Sequence, residues 1–401
     1  MAVSRQQATV RTSVGASESF DTVEAAAEAA DRARAGLEPP CDLAVVFASG
    51  HHLGMAKWLL SEIHERLEPR ALIGCGAGGT LAGGRELEDT PGVVVWGASL
   101  PGAVLQTMHL TAERDADGFR LLGLPESLTE PVADGDLVAD ETLVALCDPF
   151  SFPAEELISA LEGSRPHVPV LGGLASASFA GGAALLRDGE LHTDGAVAVR
   201  LRGAQVLPCV SQGAGPVGPE MTITSAEANV IGQLASKPAM ERLGEVITSL
   251  PEHQRELAAA GVLIGLVIDE NRPDYERGDF LVRPIIGADR ESGAIAIGEP
   301  VRVGQTVRLH VRDAASADED LREALRAQSQ ALGSGGAAGA LLFTCNGRGS
   351  HMFDAPDHDA AAVQDSLDVP TAGFFCAGEI GPVGGRNFLH GFTATMAVFP
   401  A

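Results

Sequence analysis

The stretch TAGFFCAGEIGPVGG, residues 371–385, decides the reading of the fold. It opens as a strand rich in aromatic and β-forming residues and ends at Cys376. It then breaks into small residues around a single carboxylate, Glu379. Upstream, GALLFTC (339–345) reads as a second strand and DHDAAAVQDSL (357–367) as a helix between the two. The order is strand, loop, helix, strand, with the second strand opening into a small-residue loop. A carboxylate among apolar and tiny neighbours is costly unless something pairs with it. Glu379 therefore has either a structural partner or a ligand.

The same order occurs twice more. DLAVVF (42–47) is followed by a helix with Leu53, Ala56, Leu60, Ile63 and Leu67 on one face, and then by ALIGC (71–75), which opens into GAGG. TLVALC (142–147) is followed by PAEELISALEG (153–163) and PVLGG (169–173), which opens into LASAS. Between these units lie stretches with antiparallel character. ALLRDGELHTDGAVAVRL has hairpin signals at Asp188-Gly189 and Asp194-Gly195. Residues 280–314 read as short strands between glycines and charged turns, and a helix is expected from about Ser316 to Leu332. The fold class is mixed α/β: two related halves with mixed β-sheets flanked by helices, built from repeated strand–loop–helix–strand units. The expected division is an N-terminal strand and helix over 1–40, one domain over 41–207, a Pro/Gly-rich linker over 208–220, and a second domain over 221–401.

The 401 residues are 45% hydrophobic and 20% charged, an ordinary globular composition. Forty-eight glycines against 4% aromatics imply many tight turns and close backbone approaches. A formal net charge of −26 argues against nucleic acid or an anionic membrane surface as partner. The six cysteines are widely spaced and form no CxxC pair, which argues against a zinc module or a disulfide framework and points to a reduced, cytoplasmic setting. The N-terminus lacks the apolar core of a signal peptide. The uncharged runs 92–110 and 167–186 are broken by Gly and Pro and read as strands and turns rather than membrane helices.

Several motifs have bland readings that win. GCGAGG (74–79) fits GxGxxG, but no helix begins after it, so a dinucleotide site is not expected. HMFDAPDHD (351–359) gathers His and Asp, but Pro356 divides the set and a helix start explains the acids better than a metal. Cys345 and Cys376 each end a strand, where a buried structural cysteine is common; His351 and His390 are the bases a thiol nucleophile would use. Arg348 in NGRG and Glu379 in AGEIG occupy corresponding loops. If their strands are neighbours, both loops open at the same sheet edge, where α/β folds place ligands. An arginine fork suits a carboxylate and a carboxylate suits an ammonium, so the two would hold an amino acid between them or pair with each other. The expected ligand-facing set is Ser49, Gly76, Cys345, Asn346, Arg348, Gly349, Cys376, Gly378 and Glu379. No catalytic residue and no metal ligand is assigned.

The order DLAVVFASG, ALIGCGAGG, a strand-rich middle, FLVRPIIGADRESGAIAIGEPVRVGQTV, LLFTCNGRG, GFFCAGEIGPVGG and LHGFTATMAVF resembles the FIST family, across its N-terminal and C-terminal parts together. NGRG (346–349), GFFCAGEIGP (373–382) and the closing strand with Thr393 and Thr395 carry it most specifically. The resemblance implies a sensory module that binds a small polar metabolite, amino acids among them. The resemblance also implies that family members occur alone or fused to kinases, cyclic-dinucleotide enzymes and chemoreceptors, so the expected partner here is a separate signalling protein of that kind. Some relatives bind haem and report nitric oxide, which makes haem an alternative cofactor and His51, His52, His351 and His390 its available ligands. A protein–protein adaptor and a cysteine-dependent enzyme are the remaining alternatives.

Overall fold

The computed structural model describes residues 9–115, 118–130, 140–177, 183–275 and 277–401. The chain divides into two compact units that do not follow chain order. One comprises Met1–Val210, Arg322–Leu389 and Thr393–Ala401; the other comprises Ser211–Leu321 and His390–Phe392.

In the first unit, each strand–loop–helix–strand segment supplies a parallel strand pair to its own sheet. Leu43–Ser49 pairs with Ala71–Ala77, Glu141–Cys147 with Val170–Leu174, and Ala337–Cys345 with Thr371–Cys376. These strands are apolar on both faces because both faces are covered. In the first pair, Leu43, Val45 and Phe47 turn into a core shared by all three sheets, while Ala44, Val46 and Ala48 meet the helices Thr22–Ala35 and Ala56–Leu67. Helix Ala154–Ser164 covers the outer face of the second sheet. His358–Leu367 lies against the third.

The three segments exchange hairpins in a ring. The hairpin Thr80–Ala82/Arg85–Leu87 follows the first segment but pairs beside Thr371–Cys376 in the third sheet. Leu185–Arg187/Glu190–His192 follows the second and pairs beside Ala71–Ala77 in the first. Glu379–Val383, with Arg386–His390 beyond it, follows the third and pairs beside Val170–Leu174 in the second. After each hairpin the chain returns antiparallel to its own first strand, as Val93–Ser99, Ala196–Arg202 and Thr393–Pro400. Asp188-Gly189 makes the expected hairpin. Asp194-Gly195 does not: it carries the chain from one sheet into the next, because the strands on either side find other partners.

The registers superpose the three repeats residue by residue. Gly74 opposes Val46, Gly172 opposes Ala145 and Gly373 opposes Leu342. At each of these glycines a Cβ would overlap the carbonyl oxygen of the opposing residue. Glycine stands there because the parallel strands approach too closely for any side chain.

The second unit is a closed antiparallel sheet. Its strands run in the order Ala214–Glu227, Thr306–Arg312, Val262–Val267, Phe280–Ala288, Ile295–Ile297, Val230–Leu234, and the last pairs back to Ala214–Glu227. That long strand reaches both neighbours by bending at register shifts after Val217 and Ile223. Residues 208–220, expected as a linker, are strand on either side of Gly213, within Leu207–Gln212 and Ala214–Glu227. The expected helix near Ser316 is Ala314–Leu332.

Candidate functional site

The carboxyl ends of the parallel pairs in the first unit come together. The Gly76 N–H donates to Ala184 O (2.7 Å), Leu174 N–H to Gly378 O (2.8 Å) and Phe375 N–H to Gly79 O (3.0 Å). These three bonds are equivalent between repeats. Ser176 ties them: its hydroxyl accepts from the Gly78 N–H at 2.8 Å and donates to Phe375 O. At this junction lies a cavity of about 160 Å³ lined by Gly78, Gly79, Glu88, Asp89, Ser176, Asn346, His351 and Phe375. Two of the three small-residue loops expected from the sequence line it, one through Gly78 and Gly79 and the other through Ser176; the loop 377–385 does not.

One wall is held by buried charge. Arg348 is wholly buried, and its fork meets Asp359, Nε to Oδ2 at 2.6 Å and Nη2 to Oδ1 at 2.8 Å. Asp359 also accepts from the Thr344 hydroxyl at 2.6 Å and contacts His358 Nδ1 at 2.9 Å. Burial opposes ionisation of Asp359, but the Arg348 charge and these bonds outweigh it and hold its pKa below the usual carboxylate range. Phe353 stacks on His358 and lies under Arg348. Glu88 clamps the short helix Ser350–Phe353, accepting from the Ser350 N–H (2.9 Å) and hydroxyl (3.0 Å). Gly349 has φ +72°, and a Cβ there would strike the Glu88 carboxylate. Glu86 caps the next helix through Oε1, which accepts from Asp359 and Ala360 N–H, both at 3.0 Å. Burial, reinforced by the Asp359 charge, pushes the Glu86 carboxyl up to about 7.

Glu379 is also wholly buried. Its Oε2 accepts from the Thr393 N–H (3.1 Å) and hydroxyl (2.9 Å), whereas Oε1 has no hydrogen-bond partner. Burial pushes the carboxyl up to about 8; the Thr393 bonds, the Cys345 thiol and the Arg348 charge pull the other way. The internal symmetry shows what this group replaces. The N–H equivalent to that of Thr393 is Gly92 in the first repeat and Gly195 in the second. Each donates to a serine hydroxyl, Ser49 at 2.9 Å and Ser151 at 2.8 Å. A neutral acceptor suffices twice; the third repeat uses a carboxyl.

The sequence-expected residues therefore separate. Asn346 lines the cavity. Arg348 and Glu379, expected to face the ligand, do not line it: Arg348 is engaged by Asp359, which the sequence had presented only as a helix start, and Glu379 is bonded to Thr393. Gly349 and Gly378 do not line the cavity either: Gly349 packs against the Glu88 carboxylate, and the Gly378 carbonyl accepts from the Leu174 N–H. Gly76 sits under Leu53, and Ser49 serves its own repeat. Cys345 and Cys376 are buried and stand opposite each other in register. Burial raises the Cys75, Cys147 and Cys376 thiols well above the ordinary range and Cys41 up to about 12, so these four are poor nucleophiles. Glu88, Asp89, Ser176 and Phe375 were not singled out from the sequence. Nothing local marks Glu88, Asp89 and Ser176, which the segment after the first repeat's hairpin and a loop of the second repeat deliver; Phe375 lies on the third repeat's strand Thr371–Cys376.

The residues do not fit haem. The cavity is well below the ~300–1,000 Å³ of ordinary small-ligand sites. His351 lines it, but His51 stacks on exposed Phe20, His52 is buried against the Thr22 hydroxyl at 3.0 Å, and His390 belongs to the second unit. Among the described residues no cluster of three or more His, Cys, Asp or Glu is arranged to hold a metal ion. No helix among them is long and apolar enough to cross a membrane.

A three-repeat α/β unit with a small polar cavity at its converging loops, in a chain that also carries a closed antiparallel sheet, defines the class of protein. The chain belongs to the FIST family: the FIST N domain matches residues 42–237 and the FIST C domain residues 239–382. It is 45% identical, over 97% of its length and 100% of the relative's, to an uncharacterized protein of Mycobacterium tuberculosis (strain ATCC 25618 / H37Rv). It is 42% identical, over 97% of its length and 99% of the relative's, to an uncharacterized protein of Mycobacterium bovis. FIST domains are associated with sensory roles in signal transduction.

Proposed function

We propose that the protein is a sensor whose cavity takes the amino end of a small polar metabolite, an amino acid being the class that fits, and that it passes occupancy to a separate signalling partner. The observation that carries this reading is the cavity itself. It lies outside the carboxyl ends of parallel strands, where α/β folds bind ligands. It brings Glu88 and Asp89 together with Asn346, Ser176 and the Phe375 ring. Glu88 is committed to Ser350, which leaves Asp89 as the carboxylate for an ammonium. At about 160 Å³ the space suits a head group of a few heavy atoms. Arg348 and Glu379 enter this reading as positioning residues.

Thermal unfolding against a panel of amino acids, amines and carboxylates tests it. A ligand at about 100 times its dissociation constant adds about 2.7 kcal/mol of stability. The expected result is a shift with amino-bearing compounds that Asp89→Asn abolishes without lowering the unliganded melting temperature. Equal shifts in wild type and Asp89→Asn, or shifts only with carboxylates lacking an amine, would sink the assignment.

A further inference from the structure

We propose that Cys345 is a modifiable thiol paired with Glu379, oxidised by small hydroperoxides that enter through the neighbouring cavity. The argument begins with what the repeats share. Cys345 stands where the first repeat has Ser49 and the second has Asp148. Ser49 and Asp148 each donate their own N–H to the carbonyl of the returning strand, at Gly92 and Gly195 (2.9 Å each). In the first repeat the Ser49 hydroxyl also accepts the returning N–H. In the third, Glu379 has taken over that task through Oε2. The Cys345 thiol donates to Asn346 Oδ1 at 3.9 Å, and the Glu379 carboxyl keeps a second oxygen, Oε1, wholly buried behind the Oε2 bonds to Thr393. The Cys345 thiol interacts with this carboxyl.

A backbone N–H and a guanidinium face the sulfur. The Gly347 N–H points at Cys345 Sγ at 3.4 Å, and Arg348 lies close enough for its charge to be felt there. Asn346, the next residue, lines the cavity, so the thiol lies one residue from a space large enough for a peroxide. Cys376 is also close to Glu379 and next to cavity-lining Phe375, but its Sγ donates to Phe374 O at 3.6 Å.

The reaction balances without a further reagent. Sulfur attacks the distal oxygen of the hydroperoxide, an S–O bond forms and the O–O bond breaks. The thiol proton passes to ionised Glu379 and leaves with the alkoxide as an alcohol. Sulfur is oxidised by two electrons to a sulfenic acid and the peroxide is reduced.

The test is sulfenic-acid trapping with dimedone after treatment of the full-length protein with hydrogen peroxide, each cysteine quantified by peptide mass spectrometry. The same protein in urea is the reference in which all six react alike. The expected result is that native Cys345 labels at least about tenfold faster than Cys41, Cys75, Cys147, Cys209 and Cys376, relative to that reference. Its rate should rise with pH as Glu379 ionises towards about 8. Glu379→Gln should remove that rise and slow labelling, while the label at the other sites stays put. Native Cys345 protected as strongly as Cys147 would overturn the proposal in the wild-type protein alone. So would an unchanged rate and pH profile in a folded Glu379→Gln variant.

Discussion

Asp359 shows how little of a buried site one residue type reveals. In the sequence it is one of several acids ahead of an alanine-rich helix. In the fold it is the partner of a guanidinium that no water reaches. Replacing one member of such a pair strands the other, at a cost of about 3–5 kcal/mol. Asp359→Asn should lower stability by that order, read from urea unfolding at neutral pH. A loss no larger than that of a surface substitution would mean that Arg348 has a better partner. Glu379 acts in the opposite sense. Its folded pKa, about 8, lies above that of an exposed glutamate, so the native state keeps a proton that the unfolded chain releases. Its contribution to stability is complete below about pH 4.3 and is lost as pH rises through about 8. Urea midpoints measured from about pH 5 to about pH 9 should fall in wild type and fall less in Glu379→Gln. Parallel curves for the two proteins would refute the assignment.

At the scale of elements, most of the architecture was legible. All three strand–loop–helix–strand segments were visible because each carries two signals at once, an apolar run of strand length and a helix of clear periodicity. Their small-residue loops were visible for the same reason. What could not be read was where each following hairpin goes. TLAGGREL carries strand and turn character, but no residue in it states that its partner is Thr371–Cys376 rather than the strand just made. The glycine opposed to a carbonyl in each repeat is the clearest trace of the shared design, and it is also fragile. Gly373→Ala forces a methyl group against Leu342 O across a parallel pair buried on both sides. A cost of about 3 kcal/mol is expected, at the upper end for overpacking. Chemical denaturation measures it; a change under about 0.5 kcal/mol would show that the strands separate freely.

For the molecule as a whole, the family boundary and the folding boundary differ. The FIST N and FIST C matches meet at residues 237–239, inside the closed antiparallel sheet, whose strands Ala214–Glu227 and Val230–Leu234 come from one match and the rest from the other. Fragments cut there should fail to unfold cooperatively. A fragment spanning Ser211–Leu321 keeps every strand of the closed sheet and should show a sigmoidal urea transition with dispersed amide resonances. If the 1–237 fragment folds cooperatively alone, the ring of exchanged hairpins is not needed for stability.

That ring also sets a clock. The hairpin ending at Leu87 leaves the ribosome long before the strand beginning at Thr371 that it must join. At about 5–20 residues per second the wait is on the order of tens of seconds. For the first part of it, until the second segment has been synthesised, the first-made sheet also lacks Leu185–Arg187. A nascent chain with open strand edges for that long is exposed to neighbouring chains, so its yield should depend on chaperone supply and on the speed of translation more than its final stability would suggest.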